Sequence, residues 1–233
     1  MSGPKFTLHH LEKSRSTRII WLLEELGLDY ELTKYKRTSD MLAPPELAKI
    51  HPLGKAPVVT VTENGKTETL AESGAIIEYI IARYGKGKLA PKVEDSLYKD
   101  YLFWLHYTEG SVMSLIMMNL VFGQLPYQGP FLARPILHVV TAGARQQFLN
   151  PGLKNHFKFI DAELEKTGGK FLVGNSLTGA DINFSFVVES VAAMGWINNY
   201  PNIKTYYASI KAHPAYKIAE EKGDPVDLSM FAK

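Results

Sequence analysis

Two short segments of this chain put hydroxyls and charges where helices begin. Ser14-Arg15-Ser16-Thr17-Arg18 precedes the apolar run Ile19, Ile20, Leu22, Leu23 and Leu26, and Glu72-Ser73 precedes Ile76, Ile77, Ile80 and Ile81. The first turn of a helix carries unpaired N–H groups and the positive end of the macrodipole. A hydroxyl there either caps the helix or faces an anionic ligand alongside the backbone donors. Between the two segments, His51-Pro52-Leu53-Gly54-Lys55-Ala56-Pro57 offers two cationic or donor side chains in a turn-rich stretch. The chain has no cysteine, which removes disulfide scaffolds, thiolate metal sites, cysteine nucleophiles and Cys-x-x-Cys redox chemistry together. Its 7 histidines are scattered, and His9-His10 has no acidic partner at ligand spacing, so no metal site is expected. Gly85-Lys86-Gly87-Lys88 follows a helical pattern instead of opening one, the wrong context for a phosphate loop. Chemistry is left to oxygen, nitrogen or a sulfur that a substrate brings.

The elements that must position these groups follow from periodicity. Phe6-Thr7-Leu8 reads as a strand, the run from Ile19 as a helix stopped by Gly27, and 29–35 as a second strand, a β-α-β crossover that implies parallel pairing. A short helix within 43–50 leads to the strand Val58-Val59-Thr60-Val61-Thr62, and Asn64-Gly65 turns it back into 66–70 as a hairpin. A helix over 73–83 completes the order βαβαββα by about residue 84. Residues 85–94 read as a linker, after which strand patterns stop. Helical patterns then cover 95–125, 135–148, 154–166, a segment opened by the capping-box-like Thr178-Gly179-Ala180-Asp181, 203–212 and 214–221.

Composition sets bounds on function. The 233 residues are 45% hydrophobic, enough for a sizeable core, and 26 Lys plus Arg against 24 Asp plus Glu leave a net charge of +2. No strong field for nucleic acid or an anionic membrane is expected from that balance. The most apolar stretch, 112–122, is too short to span a bilayer and is interrupted by Ser114 and Asn119. The start at Met1-Ser2 lacks an apolar leader, and Ser2 stands where N-myristoylation requires glycine, so a cytoplasmic location is the expectation.

Taken in order, Ser14-Arg15-Ser16-Thr17-Arg18 before Trp21-Leu22-Leu23-Glu24-Glu25-Leu26, His51 to Pro57, Leu70-Ala71-Glu72-Ser73-Gly74-Ala75-Ile76, and Thr178-Gly179-Ala180-Asp181 resemble the cytosolic glutathione transferases over nearly the full length. The phrasing is similar to the fungal and bacterial members with S-R-x-x-R after the first strand. The resemblance implies a thioredoxin-like domain over 1–84 that holds glutathione, and an all-helical domain over 95–233 that borders the electrophile.

It further implies that Ser14 stabilises the glutathione thiolate, with Ser16 and Thr17 as rivals for that role. A free thiol has a pKa of about 8.5, a hydrogen bond to a charged partner contributes about 1.5–3 kcal/mol, and about 1.4 kcal/mol moves a pKa by one unit. One hydroxyl at a helix end is thus sufficient to make thiolate the main species. Arg18 is expected to tie the N-terminal domain together. Ala56-Pro57 matches the family's cis dipeptide, which would aim the Ala56 backbone at the cysteinyl part. Glu72 and Ser73 match the γ-glutamyl site, and Lys55 and His51 are candidates for the glycine carboxylate. Tyr107 and Ser111, on the helix after the linker, are candidates for the electrophile pocket, whereas Thr178 and Asp181 have a structural role. A homodimer without metal or redox cofactor is implied. The alternative reading is a glutathione-binding regulatory or carrier protein with little turnover. A thiol oxidoreductase suffers from the missing protein thiol.

Overall fold

The computed structural model describes residues 3–223 and Leu228; the Met1-Ser2 start read above lies outside them. Four strands, β1 (Lys5–Leu11), β2 (Tyr30–Tyr35), β3 (Val58–Glu63) and β4 (Lys66–Ala71), form one sheet in the order β2-β1-β3-β4. β1 and β2 pair in parallel, as the crossover between them requires, and the other two pairings are antiparallel. The β3–β4 turn has Asn64 at φ 52° and Gly65 at φ 75°, the left-handed pair that an Asn-Gly hairpin supplies without strain.

The crossover helix α1 (Thr17–Leu26) ends at Gly27, whose φ of 65° lets its N–H reach back to Glu24. This left-handed C-cap is the role expected of glycine there. After α2 (Glu46–Ile50), the Ala56–Pro57 bond is cis. Helix α3 (Ser73–Tyr84) then sets Ile76, Ile77, Ile80 and Ile81 into the same buried cluster as Ile19, Ile20, Leu22 and Leu23 of α1 and Leu8 and Val59 of the sheet. That cluster continues without a break into the helical part of the chain.

The helical part departs from the sequence expectation twice. The pattern over 95–125 becomes α4 (Tyr98–Tyr107), a π turn (Thr108–Val112) and α5 (Met113–Gln128). The two helices expected over 135–148 and 154–166 are one continuous rod: α6 (Arg134–Ala144), a second π turn (Arg145–Leu149) and α7 (Asn150–Glu165). Pro151 lies inside this rod although it lacks an N–H and its ring crowds the carbonyl four residues earlier. The wider π turn just before it is a local adjustment of that kind, and the rod continues.

Helices α8 (Gly179–Ala193), α9 (Pro201–Ala212) and α10 (Pro214–Gly223) are the last helices among the described residues. At the head of α8 the fully buried Asp181 accepts from Thr178 N–H at 2.8 Å, Thr178 Oγ1 at 2.9 Å, Leu172 N–H at 2.8 Å and Tyr206 O–H at 3.0 Å. It fastens three segments and touches no cleft, the structural role expected of it.

Candidate functional site

The register of the sheet gathers the nominated segments at one edge. His9 of β1 stands opposite Val58 at the start of β3, and Val58 stands opposite Ala71 at the end of β4. The residues just beyond these positions are His10 to Ser16, Pro57 and Glu72-Ser73. The carboxyl end of a parallel strand followed by a helix N-terminus is where open α/β sheets hold ligands.

A cleft of about 390 Å³ opens there, lined by Ser14, Lys55 and Ala56 together with Lys13, Arg15 and Arg37. Its other wall is apolar: Leu11, Met41 and Leu42 on one side, Met117 and Leu120 of α5 and Phe186 of α8 on the other. Among the described residues four cationic side chains and no carboxylate line it, which favours a ligand of several negative charges. A larger depression of about 490 Å³, between residues 87–91 and 173–178, contains none of the nominated ligand residues.

Ser14 sits at the bottom of the cleft, 8% exposed. Its Oγ lies 2.7 Å from the carbonyl of Leu11 and 2.7 Å from Ser16 Oγ, and it accepts from the Ser16 N–H at 3.2 Å. The N-cap of α1 is Ser16, not Ser14, and Ser16 makes no side-chain cap. The Ser14 hydroxyl is held by the β1–α1 turn beside the cleft and satisfies no N–H within α1.

Lys55 and Ala56 lie on the N-terminal side of the cis bond, and both line the cleft. His51 does not line it; its Nδ1 accepts from Leu53 N–H at 3.4 Å. Glu72 and Ser73 stand next to Pro57 at the edge of the sheet, outside the lining of the cavity itself. Glu72 holds φ 71° and ψ 122°, a left-handed backbone that costs a non-glycine residue of order 1–3 kcal/mol and is characteristic of ligand clamps. Ser73, 5% exposed, is the first residue of α3.

Tyr107 and Ser111 are a correction. They lie with Leu102, Phe103 and His106 along a separate shallow depression, and the Tyr107 hydroxyl pairs with Nδ1 of His156 on α7. The apolar residues of the helical region that line the same cleft as Ser14 are Met117, Leu120 and Phe186. The π turn over Thr108–Val112 follows Tyr107 and contains Ser111; it adds about one residue to a turn, rotating the face that α5 presents by about 100° relative to a straight helix.

Arg18 is a second correction. It does not tie the sheet-bearing unit to itself. Only 2% exposed, it reaches out of α1 to Glu109 in the π turn and donates to Asn183 Oδ1 of α8 at 3.0 Å. Arg15 meets the same carboxylate at 2.8 Å, and both guanidinium groups lie against the Phe186 ring. Burial alone would push the Glu109 carboxyl up, yet Arg18 and Arg15 beside it hold it below the usual carboxylate range. Burial acts against the charge on Arg18 as well, and the attraction of Glu109 opposes it.

Sequence reasoning missed Arg37. It follows β2, the partner of β1, and is locked by Nε to Glu12 O at 3.2 Å, by its side chain to Met41 O at 2.9 Å and Lys13 O at 3.0 Å, and by its own N–H to Glu12 Oε1 at 2.7 Å. The available signal was positional: both parallel strands end at this edge, so a cation just after either belongs near a ligand. Among the described residues no cluster of three or more His, Asp or Glu suited to a metal ion occurs, and no helix is long and apolar enough to cross a membrane.

A βαβαββα sheet unit with a cis-proline strand start, joined to a helical region across a cationic cleft, defines the thioredoxin-like architecture of glutathione transferases. Residues 5–82 match the family description "Glutathione S-transferase, N-terminal domain" and residues 138–220 match "Glutathione S-transferase, C-terminal domain". The chain is 32% identical to Glutathione S-transferase 1 of Saccharomyces cerevisiae over 231 residues, covering 95% of this chain and 97% of that one. Glutathione S-transferase 3 of Schizosaccharomyces pombe is 33% identical over 228 residues, with 97% and 90% covered. The crystal structure of a glutathione S-transferase from Actinobacillus pleuropneumoniae superposes with a TM-score of 0.77 at 36% identity, covering 97% of this chain and 99% of that one. The chain belongs to the glutathione S-transferase family.

Proposed function

We propose that Ser14 stabilises the thiolate of bound glutathione and that the enzyme conjugates this sulfur to small apolar electrophiles, or reduces a peroxide with it, at the Met117, Leu120 and Phe186 wall. The observation that carries this reading is the position of Ser14: a hydroxyl not engaged in capping, at the floor of a cleft with four cations on one side and an apolar wall on the other. A thiolate there is favoured by the hydroxyl and by the charge of Arg15 and its neighbours, two causes that act in the same direction on a thiol.

Glutathione then lies along the sheet edge as an added strand. Its cysteinyl amide pairs with the Ala56 backbone beside the cis bond, and its γ-glutamyl end reaches Glu72 and Ser73 at the head of α3. Its glycine carboxylate is met by Lys55, with His51 at the outer end. Arg37 and Lys13 add positive charge to the same strip. The sheet-bearing unit to about residue 84 holds glutathione, a connection over 85–94 follows, and the helices from 95 onward hold the electrophile. The sulfur arrives with the substrate, so the reaction calls for no redox cofactor, and a cytoplasmic homodimer is the expected form.

The test is turnover with a chloronitrobenzene-type electrophile and with a hydroperoxide. Wild-type protein is expected to conjugate the first with saturable dependence on glutathione, and Ser14→Ala to lower kcat/KM by at least tenfold. Glutathione binding without either activity would favour a carrier, and unchanged turnover in Ser14→Ala would remove Ser14 from the role.

A further inference from the structure

The carboxyl end of β1 buries a titratable side chain that sulfur activation by Ser14 alone does not use. Successive strand residues face opposite sides, so His9 pairs with the Tyr35 hydroxyl at 3.0 Å while His10 turns towards α1. His10 is 1% exposed, and its Nδ1 lies 2.8 Å from Ser16 Oγ. Ser16 Oγ is in turn 2.7 Å from Ser14 Oγ. A serine at an N-cap ordinarily gives its oxygen to a helix N–H. Ser16, fully buried, makes no such bond and is occupied by His10 and Ser14.

Counting protons gives this row a direction. Each hydroxyl has one hydrogen to donate, and the Leu11 carbonyl also competes, 2.7 Å from Ser14 Oγ and 3.3 Å from Ser16 Oγ. If His10 Nδ1 accepted, the Ser16 hydrogen would be consumed there, and Ser14 would be the remaining side-chain donor for Leu11 O. If Nδ1–H donates, the Ser16 hydrogen is released towards Ser14 Oγ, and the Ser14 O–H, which donates to Leu11 O at 2.7 Å here, turns to the cleft when a thiolate is there to accept it. An imidazole that carries its hydrogen on Nδ1 can make that donation.

We propose that His10 and Ser16 are positioning residues for the sulfur site: His10 Nδ1–H donates to Ser16 Oγ, Ser16 O–H to Ser14 Oγ, and Ser14 O–H to the glutathione thiolate. The proposal rests on Ser14 being the sulfur's donor. No proton is transferred along the row. Each bond polarises the next, and the chain makes the last hydroxyl a stronger donor than a lone serine. The charges that also act on the sulfur are Lys13, Arg15, Arg37 and Lys55 around the cleft. Near His10, Lys34 of β2 stands in register with it, Thr17 and Arg18 follow on α1, and Gly223 of α10 is so close that a Cβ there would lie 3.2 Å from the ring. All of these are unchanged in the variants below.

The experiment is an ultraviolet titration of the thiolate in the glutathione complex of full-length wild type and of Ser14→Ala, Ser16→Ala, Ser16→Thr, His10→Leu and His10→Asn. Ser16→Ala and His10→Leu are expected to raise the pKa of the bound thiol by about one unit, a tenfold loss of thiolate at a fixed pH below it. Ser16→Thr keeps the hydroxyl, and His10→Asn keeps an N–H at the depth of Nδ1, so both are expected to titrate near wild type. Glutathione affinity below the thiol pKa, where the protonated thiol binds, is expected to stay constant across the four position-10 and position-16 variants, and above it to fall in Ser16→Ala and His10→Leu by about the same tenfold that the pKa shift implies. The proposal is overturned if Ser16→Ala and His10→Leu titrate like wild type while Ser14→Ala is raised. If Ser14→Ala also titrates like wild type, the Ser14 reading itself falls, and this one with it. Should His10→Leu fail to fold, the Ser16→Ala and Ser16→Thr pair decides alone.

Discussion

Replacing Glu109 by glutamine should reveal how the two halves of the chain are fastened. The carboxylate bridges Arg15 and Arg18, and Arg18 is 2% exposed. Glutamine preserves volume and one hydrogen-bond acceptor but removes the negative charge, leaving the buried guanidinium with two neutral acceptors, the glutamine oxygen and Asn183 Oδ1. Removing one partner of a buried ion pair typically costs about 3–5 kcal/mol. Because the Glu109 side chain is 29% exposed, the low end, about 3 kcal/mol, is the expected loss. For a chain of this size each kcal/mol lowers Tm by about 2–4 °C, so thermal and urea unfolding at neutral pH should show a drop of about 6–12 °C and a matching shift in midpoint. Arg15→Met removes a cation whose side chain is 30% exposed and should cost below about 1 kcal/mol. The pH dependence has a definite sign. The folded carboxyl lies below its unfolded value of about 4.3. Its stabilisation is therefore complete above that value and is lost as pH falls through the folded pKa, where wild type and Glu109→Gln should converge. A loss under about 1 kcal/mol at neutral pH, or a gap that persists undiminished in acid, would refute the account.

Two further outcomes follow from other parts of the chain. Asp181→Ala leaves two backbone N–H groups and the Thr178 and Tyr206 hydroxyls without their acceptor, and should cost about 3–5 kcal/mol in urea unfolding with little change in the turnover of protein that remains folded. Met117→Ala widens the apolar wall of the cleft and should raise KM for the electrophile several-fold, with KM for glutathione unaltered in steady-state kinetics; an equal effect on both would place Met117 outside the electrophile wall.

The legible parts of the fold were those encoded by residues adjacent in sequence. Asn64-Gly65, Gly27 and the Thr178–Asp181 box each act within a few positions, and their local chemistry suffices to set a turn, a stop and a cap. The π turns were hidden because one extra residue hardly disturbs apolar periodicity read over a dozen positions, yet it changes which face reaches the cleft. Tyr107 and Ser111 therefore line a separate depression, and Met117 and Leu120 line the cleft that holds Ser14. Arg37 was hidden because its lock to Glu12, Lys13 and Met41 is made by carbonyls, which every residue type offers equally. Ser14 shows the deeper limit. Capping and ligand binding use the same residue types at nearly the same positions, so the sequence leaves both open. What separates them is the one-residue alternation of β1, which turns His10 inward to engage Ser16, and the turn after it, which leaves Ser14 beside the cleft. The pair His9-His10 resembled a weak metal signal only while it was read as a pair; on a strand its members face opposite sides, and the chemistry available to His10 lies with a serine six residues ahead.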